Sequence, residues 1–272
     1  MNIPLARRVA FVSDIHGNLP AFEAVLTKLD ELGPFDAVVS GGDLATGGAF
    51  PSECVARTRS LPWAHLRGNG DEILVWIATD GRVPLRDFPE DADPEMWRGP
   101  GSLWAAGRLA VEDVEFLAGL PLDWKCLGPS GQSLKFVHAT PWSTHPIVWE
   151  DASEAEKREL VERGGTDALV YGHIHYPYVQ EIGGKLLACA GSVGAPFDGD
   201  PRACFAIAAD EGDGWSIEHV RVDYDLDAYA RAILESGMPN PEQAIEELRA
   251  ARLPAEVRAA LRGNDARTNT EV

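Results

Sequence analysis

The stretch Val9-Ala10-Phe11-Val12-Ser13-Asp14-Ile15-His16-Gly17-Asn18 constrains the fold more than any other part of the chain. A continuous apolar run is the signature of a strand buried on both faces, as in sheets covered by helices. The run ends in Asp-x-His, and a glycine lets the backbone turn toward a helix. In an extended segment, Asp14 and His16 leave the same side of the chain, two residues apart. That spacing makes a minimal two-ligand pincer for a divalent metal at a strand end. Its meaning depends on whether later strands end in complementary ligands.

They do. Apolar positions at Phe22, Val25, Leu26, Leu29 and Leu32 predict a helix from Pro20 to Leu32, stopped by Gly33-Pro34. Ala37-Val38-Val39 is a short strand leading to Gly41-Gly42-Asp43. A helix over Pro51 to Leu61 precedes Trp63-Ala64-His65-Leu66, which leads into Arg67-Gly68-Asn69-Gly70-Asp71. Three strand-then-polar-loop units joined by helices predict a parallel sheet, whose ligands collect at the carboxyl ends of the strands. A short helix is expected over Glu72 to Ala78. Residues 79–101 break the pattern with prolines and acids, a surface insertion and a candidate flap. Leu103 to Leu120 regains helical spacing. Lys125 to Leu127 and Leu134 to Val137 read as a strand pair, the second ending in His138. A charged helix over Glu154 to Arg163 precedes Ala168 to Tyr171, which ends in Gly172-His173-Ile174-His175.

The pattern then changes. Val179 to Ile182 with Lys185 to Cys189, and Cys204 to Ala208 with Trp215 to Val222, are expected hairpins forming a second, largely antiparallel sheet. Leu226 to Glu235 and two segments beyond Pro241 are helical. The expected organisation is one domain over 1–236, a helical extension over 237–262 and a disordered tail over 263–272.

The net charge of −19 argues against non-specific binding to nucleic acid or anionic membrane. It does not exclude an anionic substrate, since bound cations invert the local field. No run approaches the roughly 18 apolar residues of a membrane span. Cys54, Cys126, Cys189 and Cys204 have no metal-knot spacing and read as buried free thiols in a reducing compartment. A cytoplasmic location is expected. Oligomerisation stays open.

The strand ends together offer Asp14, His16, Asp43, Asn69, His138, His173 and His175. Seven oxygen or imidazole donors can hold two divalent cations with Asp43 between them. Mixed carboxylate, imidazole and amide ligation suits manganese, iron, nickel or zinc better than calcium or magnesium. Two such metals, about 3.5 Å apart, can supply a nucleophile at neutral pH and clamp a phosphate. Taken singly, an Asp or Asn in a glycine-rich loop is a turn residue and a strand-end His a hydrogen-bonded structural one. Five motifs recurring in order at the same structural position make coincidence a poor account.

In Ser13-Asp14-Ile15-His16-Gly17-Asn18, Gly42-Asp43, Gly68-Asn69-Gly70-Asp71, Val137-His138-Ala139 and Gly172-His173-Ile174-His175, the chain resembles the calcineurin-like metallophosphoesterases. Ala190-Gly191-Ser192-Val193-Gly194, followed by Asp198 to Arg202, resembles the small bacterial phosphodiesterase subgroup. The resemblance spans about residues 8 to 225. It implies an α/β fold, a four-layer αββα sandwich of two mixed sheets flanked by helices. It implies one metal on Asp14, His16, Asp43 and His175, and another on Asp43, Asn69, His138 and His173, with Asn69 also contacting the substrate phosphate. The implied activity is dinuclear metal-dependent hydrolysis of phosphodiesters or nucleotide phosphoanhydrides through a metal-bridging hydroxide. A phosphorylated small molecule or nucleotide is the implied substrate. A protein phosphatase or dinucleoside polyphosphate hydrolase is the alternative within enzymes, and a metal-binding, non-catalytic scaffold the alternative outside them.

One position departs. Many family members carry His after the motif asparagine, where this chain has Gly70. A general acid is worth about 10²–10⁴-fold, so its loss favours good leaving groups or another donor. His145 is a candidate substitute, though an exposed loop histidine is the expected reading. Asp71 is expected to cap the following helix, and His65 and His219 to be structural. Trp97, Trp104, Trp142 and Trp149 flank the insertion and the loop after His138 and are expected to serve packing before base stacking.

Overall fold

The computed structural model describes residues 3–88 and 93–268. The chain begins with β1 (Arg8–Val12), α1 (Leu19–Leu32), β2 (Ala37–Ser40), α2 (Pro51–Arg59), β3 (Ala64–His65) and α3 (Asn69–Ala78). A 3-10 turn at Pro94–Trp97 leads to α4 (Pro100–Ala106), α5 (Val111–Gly119), β4 (Asp123–Leu127) and β5 (Ser133–Val137). Then come α6 (Glu154–Gly164), β6 (Ala168–Tyr171), β7 (Tyr178–Ile182), β8 (Lys185–Cys189), β9 (Ala203–Asp210) and β10 (Trp215–Val222). Three helices close the chain: α7 (Leu226–Ser236), α8 (Pro241–Ala250) and α9 (Ala255–Thr268).

Two five-stranded sheets face each other, in the orders β10-β9-β1-β2-β3 and β4-β5-β6-β8-β7. Alternation along β1 shows how one strand serves two layers. Val9 and Phe11 point into the space between the sheets, while Ala10 and Val12 point out against α1 and its neighbours. Phe11 stacks on Phe136 of β5, ring centroids 4.6 Å apart, which pins one sheet to the other. The outer face of the second sheet is covered by α6 and by Trp149. The result is the four-layer αββα sandwich, both sheets mixed.

The antiparallel sheet expected from the two late hairpins does not form as one unit. β7 and β8 join β6 through a parallel β6–β8 pair, whereas β9 and β10 join β1 through an antiparallel β1–β9 pair. Hairpin signals are local; the sheet a hairpin extends is decided by its long-range edge partner, which alternation does not encode. The expected helix over 103–120 is two, because Gly107-Arg108-Leu109 leaves helical geometry before Asp113 caps α5 by accepting from Ala110 N at 3.1 Å. The last helix, α9, runs to Thr268. Residues 269–272, and 89–92 of the insertion, lie outside the described residues. The rest of the insertion is fastened to its surroundings. Arg67 Nη2 donates to Asp87 Oδ2 at 2.8 Å, and Ser143 Oγ donates to the Asp87 carbonyl at 2.9 Å.

For the site, the decisive feature is direction. β1 and β2 are parallel neighbours in one sheet, and β5 and β6 in the other. Their carboxyl ends open on one edge of the sandwich, where the two sheets' loops meet.

Candidate metal centre

Each sequence-predicted ligand sits just past one of those strand ends, except Asn69, which opens α3 after the loop leaving β3. The loops are laced together by their backbones. Asp14 N donates to the Gly42 carbonyl at 3.0 Å and His16 N to the Asp43 carbonyl at 2.9 Å. His173 N crosses from the second sheet to Asp14 Oδ2 at 3.0 Å, and Gly172 N donates to the His138 carbonyl at 2.8 Å. The extended pincer expected at Asp14 and His16 is not what forms. Asp14 (φ 58°), His16 (φ 49°), Asp43 (φ 54°), His173 (φ 64°) and His175 (φ 58°) all occupy left-handed backbone. Such conformations are uncommon for non-glycine residues and gather at functional sites, where surrounding hydrogen bonds over-determine them. The left-handed turns swing successive side chains inward around a tight bend, which an extended chain would not do.

The side chains converge. Asp14, His16 and His175 bring ligand atoms within 4.8 Å of one another, and so do Asp14, Asp43 and His138. Asn69 Oδ1 and His173 Nδ1 lie 2.9 and 3.2 Å from His138 Nε2. Asp43 stands between the two halves: Oδ2 is 3.7 Å from His16 Nε2, and Oδ1 is 3.6 Å from His138 Nε2. All seven predicted residues therefore meet in one cluster, with one carboxylate facing both sides.

The ring nitrogens show what the cluster suits. His16 Nδ1 faces the Thr46 carbonyl at 2.8 Å, His138 Nδ1 the Gly41 carbonyl at 2.8 Å, and His175 Nδ1 the Ala195 carbonyl at 2.6 Å. A carbonyl only accepts, so each Nδ1 donates to it and each Nε2 is turned inward. His16 Nε2 and His175 Nε2 face each other at 3.0 Å. Two nitrogens bound at right angles to one ion, with bonds of about 2.1 Å, sit about 3.0 Å apart. Asp14 Oδ1, buried and without a hydrogen-bond partner among the described residues, lies 3.2 Å from His175 Nε2. Inward-facing imidazole nitrogens and an orphaned carboxylate oxygen converging on one point are a donor set suited to a cation. Backbone carbonyls holding the far side of each ring are the outer support such ligands need.

The electrostatics agree. Burial alone would raise the Asp14 carboxyl, but His175, then His138 and His16, hold it well below the usual carboxylate range. Burial and His175 push the His16 imidazole down, and burial with His138 pushes His173 far down. Burial opposes protonation of His138 too, but Asp43 and Asp14 outweigh it and draw that ring up. The Asp14 carboxylate is thus poised as an anion among the imidazoles.

A family model for the calcineurin-like phosphoesterase superfamily domain matches residues 8–212. The chain belongs to this superfamily. An uncharacterized protein of Methanocaldococcus jannaschii is 31% identical over 246 residues, which cover 85% of this chain and 93% of that protein. A metallophosphoesterase from Sphaerobacter thermophilus has a similar structure, with 26% identity and a TM-score of 0.68 over 90% of this chain and 99% of its own. A hypothetical protein from Pyrococcus horikoshii OT3 shares the fold at 18% identity, with a TM-score of 0.73 over 92% of this chain and 100% of its own.

Against that background the departure at Gly70 acquires a local cause in this calcineurin-like chain. A Cβ at position 70 would lie 2.6 Å from Thr46 Oγ1 and 3.0 Å from Asp43 Oδ1. Thr46 fills the space, and Gly70 N donates to Asp43 Oδ1 at 2.7 Å. Asp71 does more than the expected helix cap. Its carboxylate accepts from Gly68 N at 2.9 Å, Asp43 N at 2.8 Å and Leu44 N at 2.9 Å, tying the Asp43 loop to the Asn69 loop. Burial and the neighbouring Asp43 push Asp71 up to about 7, against the pull of the Leu44 and Gly68 N–H groups and of His138.

His145 is not the exposed loop residue expected. Its side chain is 6% exposed, with Nε2 3.2 Å from Glu72 Oε2. Glu72 in turn holds Arg67, with Oε1 2.6 Å from Arg67 Nε, and accepts from Thr144 Oγ1 at 3.2 Å. This buried network was not read from the sequence, because Thr144 and His145 lie 72 and 73 residues from Glu72. His65 and His219 are structural, their Nε2 atoms 3.3 and 2.7 Å from the Leu61 and Cys189 carbonyls. The four tryptophans do not gather at the cluster: Trp104, Trp142 and Trp149 pack against Arg108, Arg163 and Arg258, and Trp97 is 41% exposed.

Proposed function

We propose that this chain is a dinuclear metal-dependent phosphoesterase acting on phosphodiesters or nucleotide phosphoanhydrides. The observation that carries the reading is the convergence of seven donors on either side of Asp43, with protonated Nδ1 atoms turned outward and Nε2 atoms inward. Asp14, His16, Asp43 and His175 would hold one divalent cation, and Asp43, Asn69, His138 and His173 the other. Manganese, iron, nickel or zinc suits this donor set. When bound, the pair supplies a nucleophile from water at neutral pH and neutralises phosphoryl charge.

The chain's own residues set the rest. Asn69, held against His138, offers its amide N–H₂ to a phosphoryl oxygen while its Oδ1 faces the cluster. The backbone carbonyls of Gly41, Thr46 and Ala195 fix the imidazole rings, so the donors need little rearrangement on loading. With Gly70 in place of a histidine, no side chain at that position protonates the leaving group. Esters of acidic alcohols are therefore the favoured substrates. The domain spans 1–236, with a helical extension over 237–262. Four buried free cysteines suit a reducing, cytoplasmic setting, and no helix among the described residues is long and apolar enough to cross a membrane.

Asp43→Ala tests the reading. Manganese-dependent hydrolysis of bis(p-nitrophenyl) phosphate should fall by at least about 10³-fold, since the variant removes the one donor shared by both halves. Retained hydrolysis would sink the proposal. Metal uptake without any turnover in the parent protein would favour the scaffold reading instead.

A further inference from the structure

A cleft of about 190 Å³ opens beside the cluster, with His16 and His175 in its floor. Its far wall comes from the C-terminal helices: Tyr229 and Ile233 on α7, Ala244 and Leu248 on α8. Those residues lie beyond 8–212, the part matched by the superfamily model. Phe197 closes the near side and stacks on His175, ring centroids 4.4 Å apart and planes 19° from parallel. An apolar cavity of about 150 Å³ holds one benzene, so this cleft has room within its walls for one compact group.

Its charge is one-sided. Glu247 lines it, and no lysine or arginine does among the described residues. One Glu247 oxygen accepts from Gln243 Nε2 at 2.8 Å, and the other has no partner among the described residues. The walls are fixed in place. Leu248 is buried with Ala49, Tyr229 and Ile233. The Tyr229 hydroxyl donates to the Gly17 carbonyl and accepts from Ala49 N, both at 3.3 Å. Gly199 N donates to the Ala251 carbonyl at 2.9 Å, joining the loop that carries Phe197 to the end of α8. A carboxylate, two aromatic rings and apolar walls without a basic residue are the chemistry that receives an ammonium group and repels an anion.

We propose that this cleft takes one esterifying group of the phosphoryl substrate and selects a compact alcohol bearing an ammonium group, with Glu247 as its recognition residue. The assignment rests on the phosphoesterase reading above and narrows its substrate class. It disfavours dinucleoside polyphosphates, whose further phosphates would meet Glu247.

The test uses the full chain loaded with manganese and three chromogenic esters: bis(p-nitrophenyl) phosphate, p-nitrophenyl phosphorylcholine and the p-nitrophenyl ester of thymidine 5′-monophosphate. The parent protein should prefer the phosphorylcholine ester over the thymidine ester by about tenfold or more in kcat/KM. Glu247→Gln should lower kcat/KM for the phosphorylcholine ester about tenfold, mainly through KM, and leave bis(p-nitrophenyl) phosphate within about twofold. Ala244→Phe, which narrows the cleft without touching the metal donors, should erase the same preference. Equal effects of Glu247→Gln on all three esters, or a parent preference for the thymidine ester, would overturn the cleft assignment while leaving the phosphoesterase reading intact. No turnover of any ester by metal-loaded protein would overturn both.

Discussion

Asp71→Asn probes how the chain holds Asp43, the carboxylate proposed to serve both metals. Asp71 Oδ2 accepts from Asp43 N and Gly68 N, and Oδ1 from Leu44 N. In the variant the amide oxygen keeps the two donors at Oδ2, and the new NH₂ meets the Leu44 N–H. Two buried donors then face each other, each costing about 1–3 kcal/mol unless satisfied. Relief of the Asp43–Asp71 repulsion offsets part of this, leaving a net loss of about 2 kcal/mol. For a chain of this size, that lowers Tm by roughly 4–8 °C. The same change loosens the loops carrying Asp43 and Asn69, so manganese affinity should fall about 10–100-fold, as is typical when a ligand's outer support is lost. Thermal unfolding without metal and titration calorimetry with manganese read the two effects separately, with exposed Asp80→Asn as control. A variant whose Tm stays within about 1 °C and whose affinity stays within about twofold would refute the argument that Asp71 fastens the site.

Two further outcomes follow from the surroundings. Glu72→Ala leaves buried Arg67 with only the half-exposed Asp87 as partner among the described residues, so denaturant unfolding should show a loss of about 3–5 kcal/mol, against under about 1 kcal/mol for an exposed pair such as Arg163–Glu159. Gly70→Ala puts a methyl group against Thr46 Oγ1 and Asp43 Oδ1 and should cost about 1–3 kcal/mol. Adding Thr46→Ala should recover a substantial part of that loss, and strict additivity in the double variant would show that Thr46 is not the obstruction.

That these seven side chains would gather was legible in the sequence because each follows a recognisable strand or loop signal, and parallel strands put their carboxyl ends together. The layered fold was legible for the same reason: β1 reads as buried on both faces, and it is. The backbone at the ligands was not. Nothing in Asp14-Ile15-His16 distinguishes an extended pincer from the left-handed bend that forms, since that bend is enforced by hydrogen bonds from the Asp43 loop. The late hairpins were legible as hairpins and not as members of different sheets, because their edge partners lie far away in sequence. The Arg67–Glu72–His145 network and the cleft lined by Phe197, Tyr229 and Glu247 left no periodic trace. The network closes when the loop after His138 packs against α3, and the cleft only when the helices beyond residue 225 pack back on the site. Gly70 was visible as a departure, but its cause, Thr46 in the space a side chain would need, belongs to the folded chain alone.

Metal content and turnover measured on the same sample test the central claim most directly. The protein is stripped with chelator, reloaded with manganese, and assayed for metal per chain alongside hydrolysis of bis(p-nitrophenyl) phosphate. Seven donors divided about Asp43 predict about two equivalents per chain, hydrolysis that vanishes on stripping and returns on reloading, and loss of both in Asp43→Ala. Hydrolysis that persists in the stripped protein, or a full complement of metal with no hydrolysis, would contradict it.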